Sequence, residues 1–238
     1  MKYDKFKSYS SYGEDAIFNG ILKRLSWIMQ EDLFSYRTYL DVGAFHPVKE
    51  SDTYALYLLG WRGTLVEPNK YFNVLVNENR FEDRLLNIAV NTEPGQAELL
   101  IFSGGDSSNT LSRSFADRKS AAQNTAIEES IVVECKTIEQ IVLDHIEHFQ
   151  QIPFVMNIDI EGLDEDVIKT YPEYFGIPFI FIEDTILESF CENSSIRKIM
   201  DGKGYVPIAT TLLTTLYIDT NSKYYKYIKN IGEFEEQS

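Results

Sequence analysis

Several things that would each point to a different kind of protein are scarce in this 238-residue chain. Cysteine occurs only at Cys135 and Cys191, far apart and beside apolar residues. Both read as buried thiols, and no metal-ligand spacing surrounds either. No stretch approaches the ~18 apolar residues of a membrane-spanning helix. The opening MKYDKFKSYSSYGED has no apolar run, so no secretory signal is expected and a cytoplasmic protein is. Positive charge is sparse: 22 Lys and Arg face 37 Asp and Glu, for a net charge of −15. That field repels phosphate backbones and anionic lipid, so neither nucleic acid nor membrane insertion is expected. A small anionic ligand in a local basic pocket remains compatible with it. Internal repeats are absent.

What is present fits one globular domain, with 44% hydrophobic and 25% charged residues. Ile17, Ile21, Leu25 and Ile28 recur at helical spacing and predict an amphipathic helix over 16–28. Residues 38–43 read as a buried strand. A helix follows over 51–60, with Ser51 as N-cap and Gly60 as stop. Further strands are expected at 63–67, 84–90, 96–102, 130–136, 153–160, 178–183, 205–209 and 213–219. Asn69 can cap a helix carrying Phe72, Leu75 and Val76, and Thr137 with Gln140 makes a capping box. Helices are also expected near 164–171 and 194–202. This alternation implies an α/β fold, with a mostly parallel sheet covered by helices on both faces. The last two strands are too close for a crossover and form an antiparallel hairpin. The boundaries read as a helical cap over 1–35, the main domain over 36–222 and a polar, frayed tail over 223–238.

Ligands of an open parallel sheet bind beyond the carboxyl ends of the strands. The first strand ends in Asp41-Val42-Gly43-Ala44-Phe45-His46-Pro47. Gly43 lets a ligand approach the backbone, and Asp41 can accept bonds from the loop or a ligand ammonium. The alternative is an ordinary strand-to-helix turn. The later glycine that helps seat a pyrophosphate is missing, which argues against a nicotinamide dinucleotide. Glu67-Pro68-Asn69 ends the next strand, where an acidic side chain can bind both ribose hydroxyls or merely cap a helix. Asp159 and Glu161 in NIDIEG share one face of an extended chain. Two carboxylates there suit an ammonium, a metal ion or a substrate hydroxyl, or a helix-capping cluster. Glu183 and Asp184 end the next strand in the same way. His46 has the proton affinity of a base but also reads as a loop histidine bonded to backbone. His145 and His148, three apart on a helix, are expected to face water. The polar stretch 103–124, with Arg113, Arg118 and Lys119, is a lid or a surface loop.

The segment YLDVGAFHPVKESDTYALYLLGWRGTLVEPN resembles the FkbM-type methyltransferase family. So do SYSSYGED, SSNTLSRSFA, IPFVMNIDIEGLDEDVI and, later, GYVPIATTLLTTLYI. The resemblance implies a class I methyltransferase-like, mostly parallel seven-stranded sheet with an antiparallel terminal hairpin. It also implies S-adenosylmethionine as cofactor and O-methylation of a sugar, glycan or glycosylated metabolite. By position, Asp41, Gly43 and Ala44 would line the methionine side, Glu67 would bind the ribose, and Pro68 would also touch the cofactor. Ala89 and Val90 would flank the adenine, and Asp159 would stand by the methyl donor. Ser11 and Asp52 depart from the family pattern, where glutamine and asparagine are usual.

The resulting expectation is in-line methyl transfer, with Asp159, His46 or Glu161 as candidate catalytic groups and alignment supplying most of the rate. Glu161 is expected mainly to serve the following helix entrance. The rivals are a nicotinamide-dependent reductase of similar topology and a non-catalytic cofactor-binding module. A divalent metal at Asp159, Glu183 and Asp184 is a further option that sequence alone leaves undecided. The partner is a small-molecule or glycan acceptor, with the oligomeric state open.

Overall fold

The structure, a computed structural model, describes residues 6–103, 107–184 and 194–229. The chain opens with α1 (Glu14–Met29), β1 (Thr38–Val42), α2 (Tyr54–Leu58), β2 (Arg62–Val66), α3 (Asn73–Asn79) and β3 (Arg84–Leu86). An excursion follows: β4 (Ala89–Val90), β5 (Gly95–Phe102), α4 (Arg113–Gln123) and β6 (Ile127–Lys136). Then come α5 (Ile138–Phe149), β7 (Val155–Ile158), α6 (Asp164–Thr170) and β8 (Phe179–Glu183). The described part closes with α7 (Ser195–Gly202), β9 (Tyr205–Thr210), β10 (Thr214–Asp219) and α8 (Tyr225–Lys229).

Seven strands form the main sheet in the order β3-β2-β1-β7-β8-β10-β9. The first five run parallel, and β10 is antiparallel to both β8 and β9. The α/β class and the terminal hairpin are therefore as the sequence predicts. Both faces are buried, and alternate side chains serve opposite cores. Leu40, Val42, Met156, Ile158, Ile180 and Ile182 pack with residues of α5, α6 and α7. Tyr39, Val155, Phe179 and Phe181 point the other way, against α1, α2 and Tyr224. The strand order reverses between β1 and β7, which opens a crevice at their carboxyl ends.

Four local readings are corrected. The run 84–90 is not one strand. It leaves the main sheet after Leu86, and Ala89–Val90 pairs instead with β6. The turn is held at Asn87, whose Nδ2 donates to the Glu67 carbonyl at 2.7 Å. β5 and β6 pair antiparallel, so the segments read as 96–102 and 130–136 build a separate three-stranded sheet with β4. The buried stripe of α1 is Phe18, Leu22 and Leu25, while Ile17, Ile21 and Ile28 are only half-buried. His145 does not face water. It is fully buried between Thr64 and Thr38, its ring nitrogens 3.0 and 3.1 Å from their hydroxyls. Two hydroxyl partners on neighbouring strands offset the cost of burying the imidazole. His148 is exposed, as expected.

Ser51 lies two residues before the helix cap at Thr53, though its hydroxyl still accepts from Tyr54 N–H at 3.2 Å. The Thr137–Gln140 capping box is formed at α5. Cys135 is a buried free thiol, and Cys191 lies outside the described residues. No helix among the described residues is long and apolar enough to cross a membrane.

Candidate active site

At the crevice the backbone itself sets the first constraint. Gly43 has φ +87°, and a Cβ there would lie 1.7 Å from the Asp159 carbonyl oxygen. The glycine is thus required by the end of β7 as well as by its own turn. Gly43 and Ala44 N–H both donate to Val66 O, and Asp159 N–H donates to Val42 O. Three strand ends are locked together in this way.

On one side lies a narrow, largely apolar slot. Val42, Val66, Pro68, Ala89, Val90 and Leu99 line it, with Glu67 among them. Ala89 and Val90, which follow β3 and pair with β6, line it together with the strand-end residues Val42 and Val66. Glu67 is buried. One carboxylate oxygen accepts from Phe45 N–H at 2.8 Å and the other from Asn69 N–H at 2.7 Å. Burial pushes its pKa up to about 7, against the lowering effect of those two N–H groups.

The slot opens past Gly43, Asp159 and Glu161 into a small central pocket that also holds Asp41, Ala44, Asp52 and Asn157. Asp41 is buried and accepts from Thr53 Oγ1 at 2.5 Å and Asn157 Nδ2 at 3.1 Å. The other amide atom of Asn157, its Oδ1, is buried without a partner. Behind Asp41 stands Arg80, fully buried. It donates to Asp83 and Tyr39 at 2.7 and 2.8 Å, and to Thr53 and Ser51 at 2.9 and 3.3 Å. This knot fixes the loop between β1 and α2. Sequence reading passed over Arg80, because an arginine in a polar stretch carries no signal of burial.

Beyond the central pocket is a larger polar cavity of about 830 Å³. Its walls come from distant segments: Ser10 to Tyr12 and Glu14, Asp52, Phe115 with Arg118 and Lys119, Asp159 with Glu161, Glu183, and Thr214. The N-terminal segment is held there by Asp15, which accepts from Ser8 Oγ, Tyr9 N–H and Ser10 Oγ at 2.6–2.8 Å. Glu14 accepts from Thr211 Oγ1 at 2.6 Å, joining α1 to the terminal hairpin. Ser11 and Asp52, where the sequence resemblance leads one to expect glutamine and asparagine, line this cavity. The stretch 103–124 supplies an ordered helix, α4, capped by Ser112. Phe115 of α4 packs on Gly162 so closely that a Cβ there would meet it at 2.9 Å.

The acidic groups are assembled differently from the sequence reading. β7 ends at Ile158, and Glu161 has φ +54°, so Asp159 and Glu161 are not on one extended chain. The left-handed turn nevertheless returns Glu161 to the same three cavities. Loop capping belongs to Asp164, which accepts from Ile160 and Gly162 N–H at 3.0 and 3.1 Å. Asp184 turns away and accepts from Ser194 Oγ at 2.7 Å. The convergent trio is Asp159, Asp164 and Glu183, with one oxygen of each within 4.8 Å of the others. Burial first, then its acidic neighbours Glu183, Glu161 and Asp164, hold the Asp159 carboxyl well above its usual range. His46 turns to its own loop, where Nδ1 accepts from Val48 and Lys49 N–H at 3.1 and 3.0 Å. Burial and Lys49 lower its proton affinity.

No curated protein and no solved structure matched the chain. Residues 41–207 match the family described as the methyltransferase FkbM domain, a span running from Asp41 at the end of β1 into β9. With that match over most of its length, and with the expected sheet and strand-end motifs in place, the chain belongs to the FkbM methyltransferase domain family.

Proposed function

We propose that this methyltransferase uses S-adenosylmethionine and methylates a hydroxyl group of a sugar, glycan or glycosylated metabolite. The observation that carries the reading is the continuity of an apolar slot, walled by Glu67, with a polar cavity across Asp159 and Glu161. The slot suits an adenine between Ala89, Val90 and Leu99, and Glu67 keeps lone pairs for ribose hydroxyls. The central pocket suits the methionine end: Asp41 supplies charge for the ammonium, and Asn157 Oδ1 is an acceptor awaiting a donor. When bound, the cofactor supplies an electrophilic methyl group.

This chain's own contribution is alignment and a proton acceptor. The polar cavity offers Ser and Thr hydroxyls, carboxylates and the rings of Tyr12 and Phe115, a lining suited to a polyhydroxylated acceptor. Asp159 sits where both cavities meet, and its raised proton affinity suits taking the hydroxyl proton during transfer. His46 is less suited, because its ring is engaged by backbone.

The test is ligand-dependent melting. S-adenosylhomocysteine at about 100 times its dissociation constant adds ~2.7 kcal/mol of stability. For a chain of this size that is a shift of about 5–10 °C. NAD and NADP give none. A shift with NAD and silence with S-adenosylhomocysteine overturns the reading.

A further inference from the structure

We propose that Asp159, Asp164 and Glu183 form a binding site for one divalent cation of the oxygen-preferring kind, such as magnesium, calcium or manganese. The geometry is the first argument. Two oxygens bound to one calcium ion at ~2.3–2.6 Å lie at most ~5 Å apart, and the three carboxylate oxygens fall within 4.8 Å of one another; magnesium, at ~2.0–2.1 Å, needs them drawn in to within ~4.2 Å. The second argument is independent of the clustering. Glu183 is 8% exposed, yet no donor group reaches its Oε2 and none reaches the buried Oδ1 of Asp159; the two carboxyls have only each other. Both residues line the polar cavity, so the cluster borders a space a ligand can enter, with the two unpartnered oxygens themselves shielded from solvent. Buried carboxylate oxygens without donors are costly and call for a cation or a proton.

The surroundings favour the cation. The charged neighbours acting on Asp159 are Glu183, Glu161 and Asp164, and those acting on Glu183 include Glu161, Asp164 and Asp52. Every one is acidic. The buried guanidinium of Arg80 is committed to Asp83, Tyr39 and Thr53, and the basic residues of the cavity lining, Arg118 and Lys119, both belong to α4. Asp164 is preorganised: Ile160 and Gly162 N–H fix its two oxygens, each of which keeps a further lone pair. Carboxylates alone, with neither thiol nor imidazole, suit hard ions over zinc or copper.

This ion deepens the proposed function and rests on it for its role, though not for its existence. It lies at the wall shared by the acceptor cavity and the methyl position. There it holds an acceptor oxygen and makes its proton easier to lose. Ligation lowers the proton affinity that burial and the acidic neighbours give Asp159, while its second oxygen stays available to the acceptor.

The experiment titrates manganese, then magnesium and calcium, into the metal-stripped protein without cofactor, read by calorimetry and by the manganese EPR signal. One ion binds per chain. Glu183→Gln and Asp164→Asn each weaken binding at least about tenfold, as loss of one of three ligands requires. Melting curves show which variants remain folded, and S-adenosylhomocysteine binding is measured on the same samples. No binding up to about 10 mM, beyond the weakest protein calcium sites, overturns the site and leaves the carboxylates sharing protons. Unchanged affinity in both variants overturns it as well. Metal binding without S-adenosylhomocysteine binding leaves the site standing and removes the methyl-transfer role instead.

Discussion

The two halves of the crevice are built from different kinds of chain. The apolar slot is walled mainly by residues that directly end or follow strands: Val42, Val66, Glu67, Pro68, Ala89 and Val90. The polar cavity is assembled from an N-terminal strap, the loop before α2, helix α4, the ends of β7 and β8, and the terminal hairpin. The first half is thus tied to the sheet, whose register leaves little room for change. The second half depends on loops and insertions, where binding specificity is free to vary without disturbing the core. Ser11 and Asp52 both line the second half.

Substitutions can break or sharpen that contrast. The largest effect is expected at Asp159, where the halves meet. Asp159→Asn should lower turnover by roughly 10²–10⁴-fold, the usual worth of a positioned proton acceptor. Its melting temperature should stay within a few degrees of wild type. Full activity with a proven acceptor would move the proton-accepting role to Glu161.

Next is Arg80, which supports the polar half from beneath. Arg80→Met leaves Asp83 and Asp41 buried without their cation, and should cost about 3–5 kcal/mol in urea unfolding. A loss below about 1 kcal/mol, the level of a surface pair, would mean the knot is dispensable.

Glu67 probes the slot alone. Glu67→Ala should weaken S-adenosylhomocysteine binding by about 1.5–3 kcal/mol, the range for hydrogen bonds to a charged group. Unchanged affinity by calorimetry would reduce Glu67 to a cap for Phe45 and Asn69 N–H.

The smallest effect is the pH dependence of the same group. The folded carboxyl keeps its proton up to about pH 7, against an ordinary value of 4.5. Glu67 therefore favours the cofactor-free fold at low pH, and that contribution fades as pH rises from 4.5 through 7. Ribose hydroxyls donate best to the ionised form, so affinity should rise about tenfold from pH 6 to pH 8. Glu67→Gln should flatten the profile. A profile that stays steep in Glu67→Gln would assign the titration to another group.

Several readings from the sequence survived because their physics is local. Apolar runs ending in Asp-x-Gly or Glu-Pro announced β1 and β2, and the Thr137–Gln140 pair announced the start of α5. Others failed because the deciding contacts are distant in sequence. His145 meets Thr64 and Thr38, 81 and 107 positions away. Nothing in VLDHIEHF distinguishes His145, buried between two strands, from the water-facing His148. The run 84–90 looked continuous because periodicity does not record which sheet a residue joins. The capping role fell to Asp164 and not Glu161 because a left-handed turn at Glu161 redirects the chain.

The sequence by itself determined the alternation of strands and helices, the closing hairpin and the strand-end residues of the slot. Those follow from hydrophobic period, turn chemistry and chain order, which act over a few residues. Only the tertiary structure decided that Asn157 bonds Asp41, that Arg80 stands 3.9 Å from Asp41, and that Asp164 joins Asp159 and Glu183 while Asp184 turns to Ser194. Convergence of carboxylates depends on how β1, β7 and β8 register side by side and on which way each following loop turns. Neither is written in any short window of the chain.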